Sequence, residues 1–510
     1  MSNYLGIDLG TSSVKCLITD HKGQVVASSV RTYQVLTPQP MWHEQDPNDW
    51  LEALKKALRD IEKDDNQILQ QVTSLAVTGQ MHGIVPVNHN LEPIHHAIIW
   101  SDQRNKEELA LIKESLSLEK WVELTGNRPN MSFTLGKILW FKKHFPELYR
   151  DTYKFLLPKD FIRLNLTGVL DTDESDASAT LMMDLKTKDW STEILELFQL
   201  DRDKLPNIVP STHVSGTVIK EVSAHYSLKE GTPVICGCGD AQAQAIGNGI
   251  VNEKAWLCTI GTSGQLFVSS DELKTVKDGS VHTLAHGDSE KYVMMGATLS
   301  AGNSFKWFKE KVLDSTYDFG YLLDLASDIE PGAKKLIFLP YLNGERTPHM
   351  DENAKGTFIG LTSEHTKAEM ARSIVEGVLF SLYEAYCLIQ QRMESSPDYI
   401  VLTGGAAEHP VWLTTAANLF NLPIVRKNSR GGGAYGAAML AAVGVNDFAN
   451  LDDLSKQWGL QEIEEVFQPD STKHSSYNQL FSIYQKCYQS LKSIYEELEH
   501  FGGISNDDNA

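Results

Sequence analysis

The feature that most constrains the fold is a β-hairpin motif that occurs twice in this chain. Near the N-terminus, a run that alternates on a period of two leads into the turn Gly10-Thr11-Ser12 and a second β-prone run. The same order of strand, turn and strand returns over 255–269, around Gly261-Thr262-Ser263. Aligning the turns pairs Asp8 with Thr259, so only the first copy keeps a carboxylate. This duplication predicts two related domains that each present one Gly-Thr-Ser hairpin to a shared cleft.

The length of the chain agrees with two domains. At 510 residues it is too long for one hydrophobic core. We expect an N-terminal domain at 1–247 and a C-terminal domain at 248–498. The residues at 499–510 end in a small, polar and acidic run, which predicts a disordered tail.

Charge and cysteine content exclude several classes of function. The formal net charge of −21 disfavours a nucleic-acid partner, because such partners are bound through basic patches. An anionic ligand must then be held locally, by backbone N–H groups and a metal ion. No apolar stretch is long enough to span a bilayer, and the N-terminus lacks a signal-peptide pattern. Six scattered cysteines are too few for a disulfide scaffold, so the sequence predicts a cytoplasmic protein without a membrane partner.

The first hairpin carries residues suited to binding phosphate. Its glycine lets a phosphate approach the backbone, its hydroxyl and N–H groups are donors, and Asp8 is an oxygen ligand of the kind that Mg²⁺ prefers. The alternative is a plain β-turn in which Thr11 and Ser12 bond only to their own backbone. The near-repeat at Gly261 favours phosphate binding.

Two further segments place polar residues directly after apolar strands. Gln80-Met81-His82 follows one strand, and the end of a strand is where an α/β fold exposes ligand-contacting side chains. His82 is equally well interpreted as a ligand contact or as a loop histidine whose hydrogen bonds are made within the protein. Asp240 follows a strand at the junction of the two halves, where a carboxylate can accept the proton of an attacking hydroxyl. It also suits the N-cap of the helix that follows, and both roles can hold at once.

The glycine motif Gly431-x-Gly433-x-x-Gly436 matches a dinucleotide-binding fingerprint. It lies late in the chain, however, which disfavours an NAD site. We interpret it as the start of a helix near a nucleotide. A GxxxxGK[ST] phosphate loop is absent from the sequence.

Two longer segments resemble the signatures of the FGGY carbohydrate kinases. They are 132–141, which reads SFTLGKILWF, and 356–376, which begins GTFIGL and ends SIVE. The resemblance covers roughly 3–445. It implies an α/β fold with two duplicated ribonuclease-H-like domains, of the actin/hexokinase superfamily, that flank a central cleft. It also implies that ATP phosphorylates a small sugar with the help of Mg²⁺.

The same resemblance implies roles for individual residues. Asp240 matches the catalytic base, and Asp8 matches a conserved aspartate of the catalytic site that lies near Mg²⁺ and the phosphates. The residues that match the sugar side are Gln80, Met81, His82, Asp102 and Arg104. Those that match ATP-binding positions are Thr11, Ser12, Ser13, Lys15, Gly261, Thr262, Gly302, Gly404 and Gly405.

The choice of sugar depends on shorter segments. Residues 79–83, 157–160 and 344–349 are most similar to family members that act on D-xylulose, so D-xylulose 5-phosphate is the expected product. Ala241 and Gln242 depart from that pattern, and Asp-x-Gln resembles members that act on sedoheptulose. The alternatives are therefore a kinase for another ketose and a non-catalytic, actin-like nucleotide-binding module. A homodimer is compatible with the sequence.

Overall fold

A computed structural model describes residues 2–314, 317–427 and 430–501. Most of the tail predicted to be disordered, residues 502–510, lies outside the described residues, whereas Glu499 and His500 belong to the last helix. The chain forms two compact units that alternate along the sequence. The first comprises Met1–Asn252, Ser269–Met294 and Ser429–Glu462. The second comprises Glu253–Val268, Met295–Asn428 and Ile463–Ala510.

Strands and helices alternate through the part of the chain up to Asn252. Its strands are β1 (Asn3–Leu9), β2 (Ser13–Asp20), β3 (Val25–Thr32), β4 (Glu44–Gln45), β5 (Val72–Gly79), β6 (Val85–Val87), β7 (Ala97–Ile98), β8 (Lys154–Leu156), β9 (Asp171–Asp173), β10 (Met183–Asp184), β11 (Asp189–Trp190), β12 (Asn207–Val209), β13 (Val214–Thr217) and β14 (Pro233–Ile235). Its α-helices are α1 (Pro47–Asp64), α2 (Lys106–Ser115), α3 (Leu118–Thr125), α4 (Thr134–His144), α5 (Pro146–Asp151), α6 (Pro158–Thr167), α7 (Glu174–Ser178), α8 (Thr192–Leu197), α9 (Lys220–Tyr226) and α10 (Asp240–Gly247).

Longer helices occur in the rest of the chain. Its strands are β15 (Ala255–Ile260), β16 (Gly264–Ser270), β17 (His282–Ala285), β18 (Tyr292–Thr298), β19 (Ile337–Leu339), β20 (Thr357–Ile359), β21 (Tyr399–Thr403), β22 (Ile424–Arg426) and β23 (Glu465–Phe467). Its α-helices are α11 (Gly302–Trp307), α12 (Phe319–Ser327), α13 (Lys367–Gln390), α14 (Pro410–Phe420), α15 (Gly433–Gly444), α16 (Leu451–Gln457) and α17 (Ser471–His500).

The central sheet of the first unit has the strand order β13-β14-β5-β1-β2-β3. Strand β1 pairs antiparallel with β2 through the Gly-Thr-Ser turn and parallel with β5 on its other side. In this register Asp8 lies opposite Lys15 on β2 and Thr78 on β5. Leu5, Ile7 and Leu9 point into the core, as their period of two predicts. Asp8 therefore lies near the carboxyl end of a central strand.

Helix α15 completes the first unit from a distant part of the sequence. It packs on β1 at Gly6, where a Cβ atom would clash with the backbone carbonyl of Ala434. It packs on α10 at Gly436, where a Cβ atom would clash with the Ala243 carbonyl. Side chains at these positions would force the helices and the strand apart, because packed interiors have little free space. The small residues of α15 thus permit backbone-to-backbone contact.

The second unit repeats the local design of the first. Strand β15 pairs antiparallel with β16 across the second Gly-Thr-Ser turn and parallel with β21, just as β1 pairs with β2 and β5. Thr259 occupies the place that Asp8 holds in the first copy, and it lies opposite Thr403 on β21. Helix α13 begins with a capping box formed by Thr366 and Glu369.

A buried carboxyl group in the second unit joins a loop to α13. Glu345 is 2% exposed. Its Oε1 accepts from the N–H groups of Leu299 and Arg346, at 2.8 and 2.7 Å. Its Oε2 accepts from the Ser381 hydroxyl at 3.2 Å. Burial raises the pKa of Glu345 to about 8, against the lowering effect of these hydrogen bonds.

We predict that Glu345→Gln makes the protein more stable than the wild type above pH 8. Because the folded pKa is raised from 4.5 to about 8, the wild type loses stability as pH rises through that window. The loss amounts to a few kcal/mol, at about 1.4 kcal/mol per pKa unit. Glutamine cannot ionise, keeps the acceptor oxygen for both N–H groups and donates to Ser381.

Urea unfolding of both proteins from pH 5 to pH 9 tests this prediction. The difference in free energy of unfolding should move in favour of the glutamine variant as pH rises. Glu496→Gln, on an exposed position of α17, is the control and should show no such trend. A pH-independent difference between Glu345→Gln and the wild type would contradict the prediction.

Candidate active site

Asp8 presents a carboxylate at the end of β1. The residue keeps some exposure, but its Oδ1 atom is buried and has no hydrogen-bond partner among the described residues. Burial raises the pKa of Asp8 to about 6, and the positive charge of Lys15 opposes that rise. An oxygen that is buried and unsatisfied costs free energy unless a ligand or ion completes its contacts. Asp8 therefore suits a metal ion or a water held by one.

Asp240 is the first residue of α10. Gly239 occupies the N-cap position, so the Asp240 side chain is not the cap. Burial raises the pKa of Asp240 to about 7, and the negative charge of the nearby Asp8 raises it further. Hydrogen bonds from the backbone N–H groups of Asp240 and Ala241 lower it. A carboxyl group with a pKa near neutrality is suited to accept a proton at physiological pH.

The N-terminus of α15 lies against the Asp8 carboxylate. A Cβ atom on Gly433, the first residue of the helix, would lie 2.5 Å from the Asp8 Oδ2 atom. Lys15, predicted to bind ATP, donates from Nζ to the Gly431 carbonyl at 3.1 Å, just before this helix. The glycine motif thus begins a helix, as the sequence predicts, and its glycines make room for a carboxylate.

The hydroxyl groups of the first hairpin differ in their surroundings. Thr11 accepts a hydrogen bond from the Trp100 indole N–H at 2.9 Å. Ser12 is exposed, and its carbonyl accepts from the Tyr33 N–H at 3.1 Å. Ser13 begins β2, and its carbonyl accepts from the Tyr33 hydroxyl at 3.1 Å. Tyr33 and Trp100 hold the turn in shape and leave the Ser12 side chain facing solvent.

A buried pair of amides connects the hairpin to the predicted sugar-binding segment. Gln80 is 1% exposed, and its Nε2 donates to Gln45 Oε1 at 2.7 Å. Gln45 in turn donates from Nε2 to the Thr11 carbonyl at 2.7 Å. The Gln80 Oε1 atom is buried with no partner among the described residues. Gln45 therefore connects the hairpin to Gln80 through two hydrogen bonds.

His82 has a backbone conformation that is rare for a residue with a side chain, with φ at +68°. Its Nδ1 lies 2.7 Å from the Ala179 carbonyl, and its ring meets the edge of Phe133 at 5.2 Å between centroids. Its own carbonyl accepts from the Thr134 hydroxyl at 3.2 Å. Met81, beside it, is 6% exposed. Strained backbone that persists in a well-packed setting is often found at functional sites.

Asp102 and Arg104 form a buried ion pair. Both side chains are fully buried, and Arg104 bonds to Asp102 through Nε and Nη2 at 2.8 to 2.9 Å. Arg104 also pairs with Glu44 at 2.8 Å and lies over the Trp42 ring at 3.9 Å. Asp102 accepts from the His43 N–H at 2.6 Å. These contacts fix the loop that carries both residues, and a direct contact with sugar stays a prediction.

Three of the predicted ATP-binding residues, Gly261, Thr262 and Gly302, come together in the second unit. The Gly302 N–H donates to the Gly261 carbonyl at 2.8 Å. The Thr262 carbonyl accepts from the N–H groups of Ala301 and Asn303, both at 3.1 Å. The start of α11 thus lies directly on the second Gly-Thr-Ser turn, and its first N–H groups hold that turn in shape.

Gly404 and Gly405 follow β21 beside the same turn. Gly404 has φ at +87°, and a Cβ atom there would clash with the Ile260 carbonyl. Gly405 is exposed, and a Cβ atom there would meet nothing within 4 Å. Gly404 is therefore required by the fold itself, whereas Gly405 leaves open space above the end of the strand.

Several residues that build this site carry no signal in the sequence. Gln45, Thr78 and Ser175 act through hydrogen bonds to backbone or side chains far away in the chain. Gly433 is different, because the glycine motif marks it. A polar residue in an ordinary strand or loop looks the same whether or not it later supports a functional site.

Each unit, taken by itself, carries groups that are suited to phosphoryl transfer. The first unit supplies two nearby carboxylates, one with an unsatisfied oxygen and one with a near-neutral pKa. The second unit supplies a Gly-Thr-Ser turn that is held by the start of α11. Phosphoryl transfer requires positioning and charge stabilisation more than covalent catalysis, and these are the groups that provide both.

Two family models match most of the chain. Residues 3–247 match the N-terminal domain of the FGGY family of carbohydrate kinases, and residues 256–445 match its C-terminal domain. None of the helices in the described part of the chain has the length and apolar character needed to cross a bilayer.

Individual proteins and solved structures agree with these models. Xylulose kinase from Bacillus subtilis strain 168 is 35% identical over 98% of this chain and 99% of its own. The crystal structures of gluconate kinase and ligand-bound xylulose kinase from Lactobacillus acidophilus are each 27% identical and cover 98% of this chain. They cover 99% and 100% of their own chains, with TM-scores of 0.92 and 0.91. The predicted two-domain α/β fold is confirmed, and the chain belongs to the FGGY family of carbohydrate kinases as an ATP-dependent sugar kinase.

Proposed function

We propose that the chain transfers the γ-phosphoryl group of ATP to D-xylulose, with Asp240 as the general base. The observation that carries the chemistry is the pair of neighbouring carboxylates, Asp8 and Asp240, whose pKa values are raised to about 6 and about 7. Burial raises both values, and the negative charge of Asp8 raises that of Asp240 further, which makes Asp240 a base near neutrality. Xylulose kinase relatives at about one-third identity support the choice of sugar.

In the proposed reaction, a sugar hydroxyl oxygen attacks the γ-phosphorus. A bond from this oxygen to phosphorus forms as the bond between the γ-phosphorus and the β–γ bridging oxygen breaks. ADP leaves with that oxygen, and Asp240 accepts the hydroxyl proton. Such transition states are often loose, so orienting the hydroxyl is as important as removing its proton.

The donor set around Asp8 fits Mg²⁺. Mg²⁺ binds oxygen ligands, keeps several waters and is commonly held by one or two carboxylates together with substrate phosphates. The buried, unpartnered Oδ1 of Asp8 is such an oxygen. Among the described residues no group of three or more His, Cys, Asp or Glu side chains forms a metal site. When bound at Asp8, Mg²⁺ would neutralise phosphate charge.

The remaining proposed contacts divide between sugar and nucleotide. Gln80, Met81 and His82 are proposed to contact the sugar, and the strained His82 backbone supports that role. Gly261, Thr262 and Gly302 are proposed to contact the phosphates, with Gly404 and Gly405 beside the nucleotide. Thr11, Ser12, Ser13 and Lys15 are proposed to act on the phosphates from the first hairpin. A cytoplasmic location, a homodimer and a domain boundary near 247 stay predictions.

We predict that Gly405→Ala raises the KM for ATP by roughly tenfold, about 1.4 kcal/mol, without lowering the melting temperature. A methyl group fits there without a clash but occupies the space proposed for the nucleotide. Gly404→Ala, the matched control, should lower stability by about 1 kcal/mol or more, because it combines a positive φ with a clash. Thermal unfolding and ATP titration measure both effects. An unchanged KM for ATP in Gly405→Ala would remove Gly405 from the site.

We predict that D-xylulose has the highest kcat/KM among pentuloses, hexuloses, heptuloses, glycerol and gluconate. A coupled assay of ADP release across this panel measures it. Sedoheptulose tests the Asp-x-Gln similarity, and gluconate tests the likeness to gluconate kinase. If either is preferred tenfold over D-xylulose, about 1.4 kcal/mol in transition-state binding, the choice of sugar is wrong. Sugar-independent ATP hydrolysis alone would favour a nucleotide-binding module.

We predict that Asp240→Asn lowers kcat by about 10²- to 10⁴-fold while ATP binding is retained. Asparagine keeps the shape of the side chain but cannot accept the proton. Asp8→Asn, its partner variant, should instead alter the dependence of the rate on Mg²⁺ concentration. Steady-state kinetics and calorimetric ATP titration on both variants distinguish the two roles. Near wild-type turnover in Asp240→Asn would show that Asp240 is not the base.

A further inference from the structure

The peptide bond between Cys238 and Gly239, just before the proposed base, is held at both of its polar ends. The Thr78 hydroxyl donates to the Cys238 carbonyl, with 2.6 Å between the oxygens. The Gly239 N–H donates to the Ser175 hydroxyl oxygen at 3.0 Å. Because a peptide unit is planar, two hydrogen bonds on its opposite sides fix the orientation of the whole plane.

The Ser175 hydroxyl is itself held in the orientation that accepts from Gly239. It donates its proton to Asp173 Oδ2 at 2.6 Å, so only its lone pairs are left for the Gly239 N–H. The same Asp173 oxygen accepts from the Ser211 hydroxyl at 2.7 Å. Its other oxygen pairs with Lys159 Nζ at 2.8 Å. Ser175 is therefore held by a hydrogen-bond network that includes the ion pair between Asp173 and Lys159.

Burial makes these hydrogen bonds hard to replace. Thr78, Ser175, Asp173 and Cys238 are all 0% exposed. Water cannot reach the carbonyl or the N–H group to take over if a hydroxyl is removed, so the peptide group would be left unsatisfied. Rotation of the plane is the simplest relief, and nothing in Gly239 resists it, because glycine tolerates a wide range of φ.

We propose that Thr78 and Ser175 are positioning residues for phosphoryl transfer, acting through the peptide plane that precedes Asp240. This inference rests on the proposed role of Asp240. Gly239 is the N-cap of α10 and Asp240 its first residue, so a rotated plane would turn the start of the helix and the carboxylate with it. Gly239 also lies against Met81, where a Cβ atom would be 2.7 Å from the sulfur. The two hydroxyls supply a rigidity that the glycine lacks.

Substitutions at Thr78 separate the hydrogen bond from packing. Thr78→Val keeps the shape but removes the hydroxyl, and Thr78→Ser keeps the hydroxyl but removes a methyl group. We expect Thr78→Val to lower kcat by roughly 10- to 100-fold, the cost of a small misplacement, with the KM values for sugar and ATP unchanged. Thr78→Ser should stay near the wild type. The opposite order of the two variants would show that only packing matters and would overturn the proposal.

A double-mutant cycle tests whether both hydroxyls act on one plane. Ser175→Ala should lower kcat in the same way as Thr78→Val. The loss of kcat in the double variant should be much smaller than the product of the two single losses, because the peptide plane can already rotate in each single variant. Effects that multiply would contradict a shared plane. Circular dichroism checks that each variant is folded, and if Ser175→Ala fails to fold, the two Thr78 variants decide.

The Asp240→Asn background separates this inference from the proposed function. If Thr78 acts through Asp240, adding Thr78→Val to Asp240→Asn should cause little further loss of kcat. A full additional loss would show that Thr78 acts elsewhere, for example on Asp8, which lies opposite it in the sheet. If Asp240→Asn alone keeps normal turnover, the proposed function fails. If Asp240→Asn is impaired but the Thr78 and Ser175 variants are not, only this inference fails.

Discussion

Backbone contact around α15 is the constraint on which the proposed catalytic centre depends. The helix touches β1 at Gly6 and α10 at Gly436, and in both places a single methyl group would clash with a backbone carbonyl. Strand β1 carries Asp8, and α10 begins with Asp240. The distance between the two carboxylates is therefore set by a helix that contributes no charged side chain of its own. Small residues are needed here because separation of these elements by one side chain would move both acids.

Electrostatics and packing act in opposite directions at this centre. Burial disfavours the ionisation of both carboxylates and raises their pKa values, and the charge of Asp8 adds to that cost at Asp240. Backbone N–H groups at the start of α10 and the ammonium group of Lys15 reduce it. The protein tolerates the remaining cost because the surrounding backbone is tightly held. A group that is poised between its charged and neutral forms is suited to receive a proton during a reaction.

The sequence was sufficient for the fold and for the elements that carry the proposed chemistry, since both depend on local patterns. The repeated Gly-Thr-Ser turn correctly indicated two related α/β units, and Asp8 and Asp240 do lie at a strand end and a helix start. Supporting residues were not predictable in the same way. Ser175 contacts Gly239, which lies 64 positions further along the chain, only once the fold has formed. Arg104, matched to the sugar side by resemblance, is enclosed by Asp102 and Glu44, and sequence spacing gives no hint of that burial.

The position of α15 in the chain also has a consequence for biosynthesis. The first unit includes Ser429–Glu462. Strand β1 therefore cannot pack against α15 until that helix has been translated, more than four hundred residues later. Contacts of such high sequence separation are slow to form, because the loop between them must be closed first. At about 5–20 residues per second, the ribosome needs at least twenty seconds to supply the missing helix. During synthesis the Gly6 face of β1 is uncovered, so the emerging N-terminal half cannot reach its final packing ahead of the C-terminal half.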